Sequence, residues 1–477
     1  MTRAAPDWDA LQGAIEGEVV LPDSHEYESL RRPQIARFHE LRPRAVVLCR
    51  TPADVSETIA VARRSGLPTA VRSGGHCFAG RSSSEGIVID VTPMRSVSVS
   101  GGVATVGAGA RLGDLYDSLA EHGLTIAAGC GPTVGIAGLT LGGGLGILGR
   151  RYGLTCDQLL AAQVVLADGS VVDCDEHHDE DLFWALRGAG GGNFGVVTSL
   201  VFRAVPAPAA TSFHLIWPHT QAVAVIEAWQ DWAPSAPDDL AASLLVTASP
   251  DLDRPPVVNL FGAMLGTEAE TDHLLDELVA RTGAGPTSAA RTHGLYRETK
   301  RHLAEHAPGE DQADETWHAF SKSEFFERPL PTEAIAALVG NLARARLPDQ
   351  YRELDFTPWG GAYNRVRADA TAFVHRDELF LLKHAVVLDP SIPAAGREAA
   401  ERWLSASWGT VHPWGSGGVY PNFPDLDLEG WAQAYYGINY ERLLQVKASY
   451  DPDGFFRFEQ SIVSEGTADE AGRSLAG

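Results

Sequence analysis

Apolar and polar residues follow the periods of strands and helices from the start of the chain. Residues 45–48 form a short apolar run that predicts a buried strand. Thr51 and Pro52 offer a capping hydroxyl and a proline at the first helical position, and the helical pattern that follows stops at Gly66. A second apolar run at 69–71 comes next, so the sequence predicts a strand–helix–strand beginning.

The same patterning continues in both halves of the chain. In the first half it predicts strands and a helix, and then a hairpin around the Asp-Gly pair at 168–169; these elements are strands at 87–91, 104–106 and 125–127 and a helix at 112–121. The proline- and alanine-rich residues 204–210 indicate a domain boundary. Beyond them we predict strands at 215–217, 242–247, 257–260 and 379–388, and helices at 221–232, 268–281, 332–345 and 393–406.

Length and composition bound the class of protein. A chain of 477 residues favours two domains over one core. The formal net charge of −24 argues against nucleic acid and against an anionic membrane surface as partners. We see no secretory signal and no apolar run of the ~20 residues that span a bilayer. Five widely spread cysteines without a CxxC pair argue against a disulfide framework and a metal site, so we expect a cytoplasmic protein without metal.

Two glycine-rich blocks carry the candidate chemistry. Residues 70–80 read AVRSGGHCFAG, in which a histidine follows two glycines at the end of a predicted strand. Residues 127–157 contain ten glycines among apolar residues. Glycine backbone can lie against a large polar cofactor, and successive amide N–H groups can bind pyrophosphate oxygens.

One dinucleotide fingerprint in the second block is rejected. Gly144, Gly146 and Gly149 fit the spacing G-x-G-x-x-G, but the residues that follow are poor helix formers. The acid at the distance expected for a ribose contact, Asp168, belongs to the predicted hairpin turn. A Rossmann fold is therefore not favoured.

A third block lies near the C-terminus. Residues 431–462 begin with a predicted amphipathic helix and end in an aromatic tail, Phe455 to Phe458, that would dock back onto the first domain. Together the blocks resemble the berberine-bridge-enzyme-like branch of the vanillyl-alcohol-oxidase flavoprotein superfamily. The matching segments are RSGGHCFAG (72–80), PTVGIAGLTLGGGLG (132–146), GLTCDQL (153–159), FWALRGAGGGNFGVVT (183–198) and YYGINYERLLQVKASYDPDGFFRFEQSI (435–462).

The resemblance implies an α+β fold with a PCMH-type FAD-binding domain made in two parts. Residues 1–205 would form its main part, and residues 425–477 would return to complete it. Residues 206–424 would form a substrate domain of antiparallel sheet covered by helices.

The resemblance also implies covalently bound FAD, attached through His76. Some relatives have a second link through a cysteine, but here that position is Gly131 and the thiol of Cys130 lies one residue earlier, which would turn it to the opposite face. We therefore expect a single link, with a second through Cys130 as the alternative. The cofactor-binding residues that the resemblance implies are Arg72, Ser73, Gly74, Gly75, His76, Cys77, Phe78, Gly80, Gly129, Cys130, Gly131, Pro132, Thr133, Val134, Gly135, Gly138, Leu139, Gly142, Gly143, Gly146, Asn193, Gly195, Val196, Val197, Tyr436 and Asn439.

The implied reaction is the oxidation of a small-molecule substrate. Val134 matches a position that the family associates with oxygen access, so we expect an oxidase that passes electrons to O2 and forms H2O2. Phe78, Leu139 and Leu145 replace polar residues of plant relatives, and we see no arginine pair for a carboxylate. The substrate is expected to be a fairly apolar alcohol or activated carbon compound. Amine oxidation, oxidative cyclisation and a non-catalytic flavin-binding role remain alternatives.

The catalytic residues are expected in two segments that resemble the family's pocket roof. If residues 379–384 form a strand, Lys383 and His384 face opposite sides, and at most one of them points into the pocket. Residues 417–428 contribute Tyr420, our candidate for the base, with Asn422 and Phe423 beside it. The inward-facing member of the Lys383–His384 pair would activate Tyr420; the alternative is that all three only line the pocket.

Overall fold

The computed structural model describes residues 5–306 and 318–463. The N-terminal lobe contains eleven strands and seven helices in its described part. The strands are β1 (Glu18–Val20), β2 (Ala45–Leu48), β3 (Thr69–Arg72), β4 (Ile87–Asp90), β5 (Val97–Ser100), β6 (Val103–Gly107), β7 (Leu124–Thr125), β8 (Leu159–Val165), β9 (Val171–Asp175), β10 (Val196–Arg203) and β11 (Val205–Pro206). The helices are α1 (Trp8–Ala14), α2 (Tyr27–Leu30), α3 (Pro52–Ser65), α4 (Leu112–Ala120), α5 (Ile136–Leu141), α6 (Gly149–Tyr152) and α7 (Glu180–Ala185).

Three sheets organise this lobe. The first has the order β1-β2-β4-β3, in which β2 and β3 both pair in parallel with β4. The second is antiparallel with the order β5-β6-β10-β8-β9, and β7 pairs with β11. The predicted strand–helix–strand beginning is confirmed: Thr51 and Asp54 form a capping box at the start of α3, and Gly66 ends it in the left-handed conformation.

The middle lobe is one seven-stranded antiparallel sheet with helices. Its strands are β12 (Ala209–Pro218), β13 (Leu240–Ala248), β14 (Val257–Met264), β15 (Ser288–Leu295), β16 (His318–Phe326), β17 (Gln350–Pro358) and β18 (Phe380–Leu388), in the spatial order β15-β12-β14-β13-β17-β18-β16. Its helices are α8 (Ala222–Trp232), α9 (Glu268–Thr282), α10 (Tyr296–His306), α11 (Thr332–Ala343) and α12 (Ala394–Val411). The predicted strands and helices of this lobe are present, but β15, β16, β17 and α10 were not predicted.

The two faces of the seven-stranded sheet have different surroundings. Leu354, Phe356 and Leu382 point to the face covered by α8, α11 and α12, where they join a buried apolar core. Their neighbours along the strands point to the other face, toward the N-terminal lobe. That second face lines a cavity that it shares with the N-terminal lobe.

The C-terminal segment consists of α13 (Trp431–Tyr436) and α14 (Tyr440–Tyr450), where the sequence predicts one continuous helix. The break lies at Gly437, whose φ of 48° is not helical. Helix α14 packs on α7, and the buried ammonium of Lys447 donates hydrogen bonds to the carbonyls of Asn193 and Phe456. The segment therefore returns to the N-terminal lobe.

Two buried arginines connect the lobes. The guanidinium of Arg376 donates to both carboxylate oxygens of Asp157, at 2.8 and 2.9 Å. Arg150 donates to the carbonyls of Pro234, Ala236 and Trp359. Bidentate and multiple bonds of this kind fix orientation as well as distance, so the cavity between the lobes has defined walls.

Candidate functional site

The first wall of the cavity is the loop that follows β3. Its backbone N–H groups from Gly74 to Phe78 make no hydrogen bond with any other described residue, and these residues line the cavity. Gly75 has a φ of 77°, and a Cβ on Gly74 would lie 2.2 Å from the backbone nitrogen of Gly135. Successive unpaired N–H groups in such a turn form an anion-binding concavity.

Arg72 supports this loop from behind. It is buried, and its guanidinium donates to the carbonyls of Leu30, Arg31 and Ser82. Because those bonds occupy its side chain outside the cavity, Arg72 is a support for the loop. A contact of Arg72 with the cofactor stays a prediction.

His76 is held by the second glycine block. Its Nε2 lies 3.0 Å from the hydroxyl oxygen of Thr133, and its ring lines the cavity. Burial, helped by the nearby charge of Arg111, lowers the pKa of His76 to about 4. The imidazole is therefore neutral near pH 7 and has a lone pair, the form in which it can act as a nucleophile.

The second wall is the glycine block itself. The cavity-lining residues that the sequence predicts here are Gly129, Cys130, Gly131, Val134, Gly135, Gly138, Leu139 and Gly146, and Leu145 lines it as well. The sulfur of Cys130 accepts a hydrogen bond from the ammonium of Lys300 at 3.6 Å, and the same ammonium donates to the carbonyls of Ala128 and Gly129. The thiol of Cys130 thus faces helix α10 as well as bordering the cavity.

A third wall comes from the glycines that precede β10. Gly195 and Val197 line the cavity as predicted, and Gly190, Gly191 and Gly192 join them. Arg81 also borders the cavity; its guanidinium lies 4.6 Å from the centre of the Phe458 ring and donates to Gln460. The sequence reasoning missed Arg81, although it lies one residue beyond the recognised loop motif.

The roof of the cavity is the open face of the seven-stranded sheet. In the pairing of β17 with β18, Asp355 lies directly opposite Lys383. Glu353, two residues before Asp355 on β17, also faces the cavity. The Lys383 ammonium lies 3.4 Å from a Glu353 oxygen and 4.0 Å from an Asp355 oxygen. Two carboxylates and one ammonium thus meet in a largely apolar surrounding.

His384 lies on the other face of that sheet. It is fully buried under α12, where its Nδ1 and the hydroxyl of Ser407 are 2.9 Å apart. Burial lowers its pKa to about 3, with the charge of Lys322 acting in the same direction. Of the two alternatives, Lys383 therefore faces the cavity, and the expected catalytic place of His384 is corrected.

Tyr420 reaches the cavity from the loop before α13. Its phenol oxygen accepts hydrogen bonds from the Gly144 N–H at 2.9 Å and from the Asn422 amide at 3.0 Å. Burial nevertheless raises the pKa of Tyr420 above its ordinary value. Tyr420 is therefore protonated at neutral pH and suited to donate a hydrogen bond, and its role as the base stays a prediction.

Phe423 joins the roof to Tyr420. Its ring centre lies 5.2 Å from the Lys383 ammonium and 5.0 Å from the Tyr420 ring centre. On its other side it contacts Phe78 in an edge arrangement, with ring centres 5.9 Å apart. This aromatic contact closes the apolar part of the cavity.

Several predicted cofactor contacts lie behind the cavity walls. A Cβ at position 80 would meet the Phe38 ring, a Cβ at position 142 would meet Asn422, and a Cβ at position 143 would meet Phe373. Glycine is therefore required at Gly80, Gly142 and Gly143. The buried side-chain amide of Asn193 donates a hydrogen bond to the carbonyl of Ala189. The buried side-chain amide of Asn439 donates to the carbonyls of Ala368 and Thr371. The Tyr436 hydroxyl also donates to Ala189. The predicted cofactor-binding residues that lie outside the cavity lining, and whose cofactor contacts stay predictions, are Arg72, Gly80, Pro132, Thr133, Gly142, Gly143, Asn193, Val196, Tyr436 and Asn439.

The cavity fits the FAD that the sequence leads us to expect. It has a volume of about 450 Å³, unpaired N–H groups at the loop of residues 74–78, and glycine backbone along its walls. Backbone donors can hold a pyrophosphate, and the apolar stretch at Val134 and Leu139 can lie against a flat ring system. Ser73, whose hydroxyl donates to the carbonyl of Ala108, fixes the start of the loop.

The described residues also bear on metal binding, disulfide formation and membrane crossing. No group of three or more His, Cys, Asp or Glu residues there has an arrangement that could hold a metal ion. The five cysteines are free thiols. No helix in the described part of the chain is long and apolar enough to cross a bilayer.

This fold and cavity are those expected of an FAD-linked oxidoreductase, and comparison with known proteins shows that class. Residues 43–175 match the family model for the FAD binding domain, and residues 419–463 match the model "Berberine and berberine like". The FAD-linked oxidoreductase YgaK of Bacillus subtilis is 34% identical over 462 residues, covering 94% of this chain and 97% of that protein. Tetrahydroberberine oxidase of Berberis wilsoniae is 28% identical over 459 residues, covering 88% of this chain and 85% of that one.

Among solved structures, BBE-like 1 of Physcomitrella patens superposes with a TM-score of 0.86 at 27% identity, covering 96% of this chain and 99% of that chain. The chain belongs to the berberine-bridge-enzyme-like family of FAD-linked oxidoreductases. The family, the α+β fold with a PCMH-type FAD-binding domain and the enzyme class predicted from the sequence are thereby confirmed.

Proposed function

We propose that this protein is an oxidase that transfers a hydride from an alcohol or activated carbon of a small, fairly apolar substrate to covalently bound FAD. O2 then accepts the electrons and forms H2O2. One observation carries the proposal: the Glu353–Lys383–Asp355 cluster on the roof lies in the same cavity as the His76 loop. Oxidation at carbon requires a group near the hydride acceptor that takes a proton.

FAD, when bound, supplies the hydride acceptor, and the roof supplies the acid–base groups. Glu353 and Asp355 lie beside the Lys383 ammonium, and either carboxylate can accept the substrate proton. Tyr420, protonated and fixed by two hydrogen bonds to its oxygen, can donate to a substrate or cofactor oxygen. Phe423, Leu245 and Phe261 surround these groups with apolar surface, which favours an apolar substrate body.

The covalent attachment through His76 is part of the proposal. Its neutral imidazole borders the cavity beside the loop of unpaired N–H groups, as attachment requires. Cys130 is tied by its hydrogen bond to Lys300, which favours a single link. Acid precipitation followed by mass analysis of the flavin-bearing peptide tests this: colour on the His76 peptide alone is expected, and colour on a Cys130 peptide would overturn it.

The use of O2 is supported by two facts. Val134, the residue expected to permit oxygen access, borders the cavity beside Gly135. The relative from Berberis wilsoniae is named as an oxidase. Oxygen uptake with stoichiometric H2O2 on addition of substrate is expected; reoxidation only by an added electron acceptor would show a dehydrogenase instead.

Amine oxidation is the second candidate function. Glu353 and Asp355 place two carboxylates on the roof of the cavity, and a carboxylate attracts a protonated amine. A panel of matched alcohols and amines, assayed by anaerobic flavin bleaching, separates the two reactions. Bleaching by no compound in a broad panel would favour the remaining alternative, a flavin-binding protein without catalysis.

The catalytic assignment is tested with Asp355→Asn and Glu353→Gln, each compared with Asp253→Asn in an exposed loop. We expect the rate of flavin reduction to fall ~10²-fold or more in at least one roof variant, as for loss of a general base, with unchanged flavin content. The Asp253→Asn control should reduce at the parent rate. Parent rates in both roof variants would remove the carboxylates from the mechanism.

We also propose a cytoplasmic location. All five cysteines are unpaired, including Cys77 and Cys130, which are partly exposed. Cell fractionation tests the location directly, and recovery of the enzyme outside the cytoplasm would refute it.

A further inference from the structure

Arg81 and Ser82 follow the loop motif directly, and both border the cavity. The Nε atom of Arg81 and the hydroxyl oxygen of Ser82 are buried, and neither has a hydrogen-bond partner among the described residues. Leaving a buried polar atom unpaired costs free energy, so native structures pair such atoms with protein, water or a ligand. Two such atoms on neighbouring residues of a cavity wall therefore indicate a polar ligand.

Both side chains are held in place from outside the cavity. The guanidinium of Arg72 donates a hydrogen bond to the carbonyl of Ser82 at 3.0 Å, from behind the loop. A terminal nitrogen of Arg81 donates to the side-chain oxygen of Gln460 at 3.2 Å, and the guanidinium lies 4.6 Å from the centre of the Phe458 ring. The C-terminal segment thus fixes Arg81 while its Nε stays unpaired.

The positive charge of Arg81 also lacks a carboxylate partner. No carboxylate in the described part of the chain forms an ion pair with its guanidinium. The other two cationic side chains that border the cavity are compensated: Lys383 lies beside Glu353 and Asp355, and Arg150 donates to backbone carbonyls. A cation of this kind in a cavity wall attracts an anionic ligand.

Gly191 and Gly192 add backbone donors to this part of the cavity. Both line it, and their N–H groups make no hydrogen bond with any other described residue. Gly192 has a φ of 79°, and a Cβ on it would lie 3.5 Å from the ring of Phe458, the ring over which the Arg81 guanidinium lies. Successive N–H groups in such a turn can bind anionic oxygens.

We propose that Arg81 and Ser82, with the N–H groups of Gly191 and Gly192, bind a phosphate group of FAD. They form a second set of donors, in addition to the loop at residues 74–78. None of these groups belongs to the roof, so the anion they receive is part of the cofactor and not of the substrate. A guanidinium suits this role because its planar N–H groups match phosphate oxygens. The inference rests on FAD binding, not on the covalent link through His76.

The test uses the full-length proteins purified with their flavin. Arg81→Gln removes the charge, Arg81→Lys keeps it, and Ser82→Ala removes the hydroxyl. Arg95→Gln makes the same change of charge at an exposed arginine outside the cavity lining and is the control. Two quantities are measured: FAD per chain, and the positions of the phosphorus NMR resonances of the bound FAD.

We expect Arg81→Gln to carry about three-fold less FAD per chain than the parent, because a charge-assisted contact to phosphate is lost. A phosphorus resonance of its remaining FAD should move. Ser82→Ala should move a resonance with a smaller loss of FAD, and Arg81→Lys should retain most of the FAD. The Arg95→Gln control should match the parent in both measurements.

Parent positions of the phosphorus resonances in both Arg81→Gln and Ser82→Ala would overturn the phosphate assignment. If Arg81→Gln carries too little flavin for a spectrum, the spectrum of Ser82→Ala decides. Added inorganic phosphate is the last probe. Its binding to the parent holoenzyme but not to Arg81→Gln, with the FAD resonances in place, would assign these donors to a second anion and would also overturn the proposal.

Discussion

The loop at residues 74–78 and the strand pair β17–β18 line one cavity from different lobes, and they present different groups to it. The loop offers backbone N–H groups and a neutral imidazole. The strands offer two carboxylates and an ammonium on side chains. Backbone donors suit a cofactor that is always the same, whereas side chains on a strand can change with the substrate while the fold persists. The groups suited to cofactor binding and the groups suited to proton transfer therefore lie on separate walls of the cavity.

The largest effect is expected from a substitution that disturbs only the loop at residues 74–78. A Cβ on Gly74 would lie 2.2 Å from the backbone nitrogen of Gly135, a distance that forces the two loops apart. We therefore expect Gly74→Ala to retain less than about a tenth of the parent flavin, because the loop donors lose their positions. Flavin absorbance per chain measures this. Gly13→Ala, at an open position of α1, is the control, and parent-level flavin in Gly74→Ala would contradict the role of the loop.

The converse change removes the cation from the side-chain wall. Lys383→Met leaves Glu353 and Asp355 facing each other without their ammonium, and like charges raise the pKa of one carboxyl group. We expect the rate of flavin reduction at pH 7 to fall about ten-fold and its pH profile to move to higher pH. Stopped-flow reduction across pH 5–9 checks both effects. An unmoved profile, with the rate alone reduced, would mean that Lys383 only contacts the substrate.

Tyr420 sits between the two walls, and its removal should have a moderate effect. Tyr420→Phe deletes the hydroxyl and leaves the Gly144 N–H and the Asn422 amide without their acceptor. We expect a several-fold slower reduction with the pH profile in place, because the lost group is a hydrogen-bond donor and not the base. A loss as large as that of the carboxylate variants, with one arm of the pH profile gone, would restore Tyr420 as the base.

The smallest effect concerns the covered face of the same sheet. The pKa of His384 is about 3 in the folded protein, below the ~6.5 of an unfolded histidine, so between these pH values the unfolded state binds more protons. This stabilisation is present above pH ~6.5 and is lost as the pH falls toward 3, with a slope of at most about 1.4 kcal/mol per pH unit. Denaturant unfolding of His384→Gln should show a shallower acid dependence than the parent. The exposed His177→Gln should not, and equal slopes in all three would refute the assignment.

The cofactor side could be predicted from the sequence because its glycines are clustered in short segments. Gly74, Gly75 and the second glycine block are recognisable as a pattern, although the backbone and side chains that Gly74 and Gly142 approach closely are distant in sequence. Asn439 and Tyr436 belong to motifs of the same kind, but their side chains donate hydrogen bonds to backbone carbonyls behind the wall. A motif identifies the segment, while packing decides which of its side chains reach the cavity.

The roof could be predicted only in part because it depends on register between strands distant in sequence. The alternation rule separated Lys383 from His384 but could not choose between them. The choice is made by pairing with β17, a strand that was not predicted although polar Glu353, Asp355 and Thr357 alternate there with apolar residues. That alternation of polar and apolar residues predicts a strand with one polar face, and it would have placed Glu353 and Asp355 on that face.

The return of the C-terminal segment has a consequence for biosynthesis. Lys447 and Ile462 donate hydrogen bonds to Asn193 in the N-terminal lobe. These two residues leave the ribosome after the whole middle lobe, so the N-terminal lobe receives its last contacts late. The strands β12–β18 of the middle lobe must therefore be translated before the N-terminal lobe is complete. A nascent chain arrested after residue 424 should expose an unfinished, protease-sensitive first lobe, and release of the full chain should be the moment at which stable flavin capture begins.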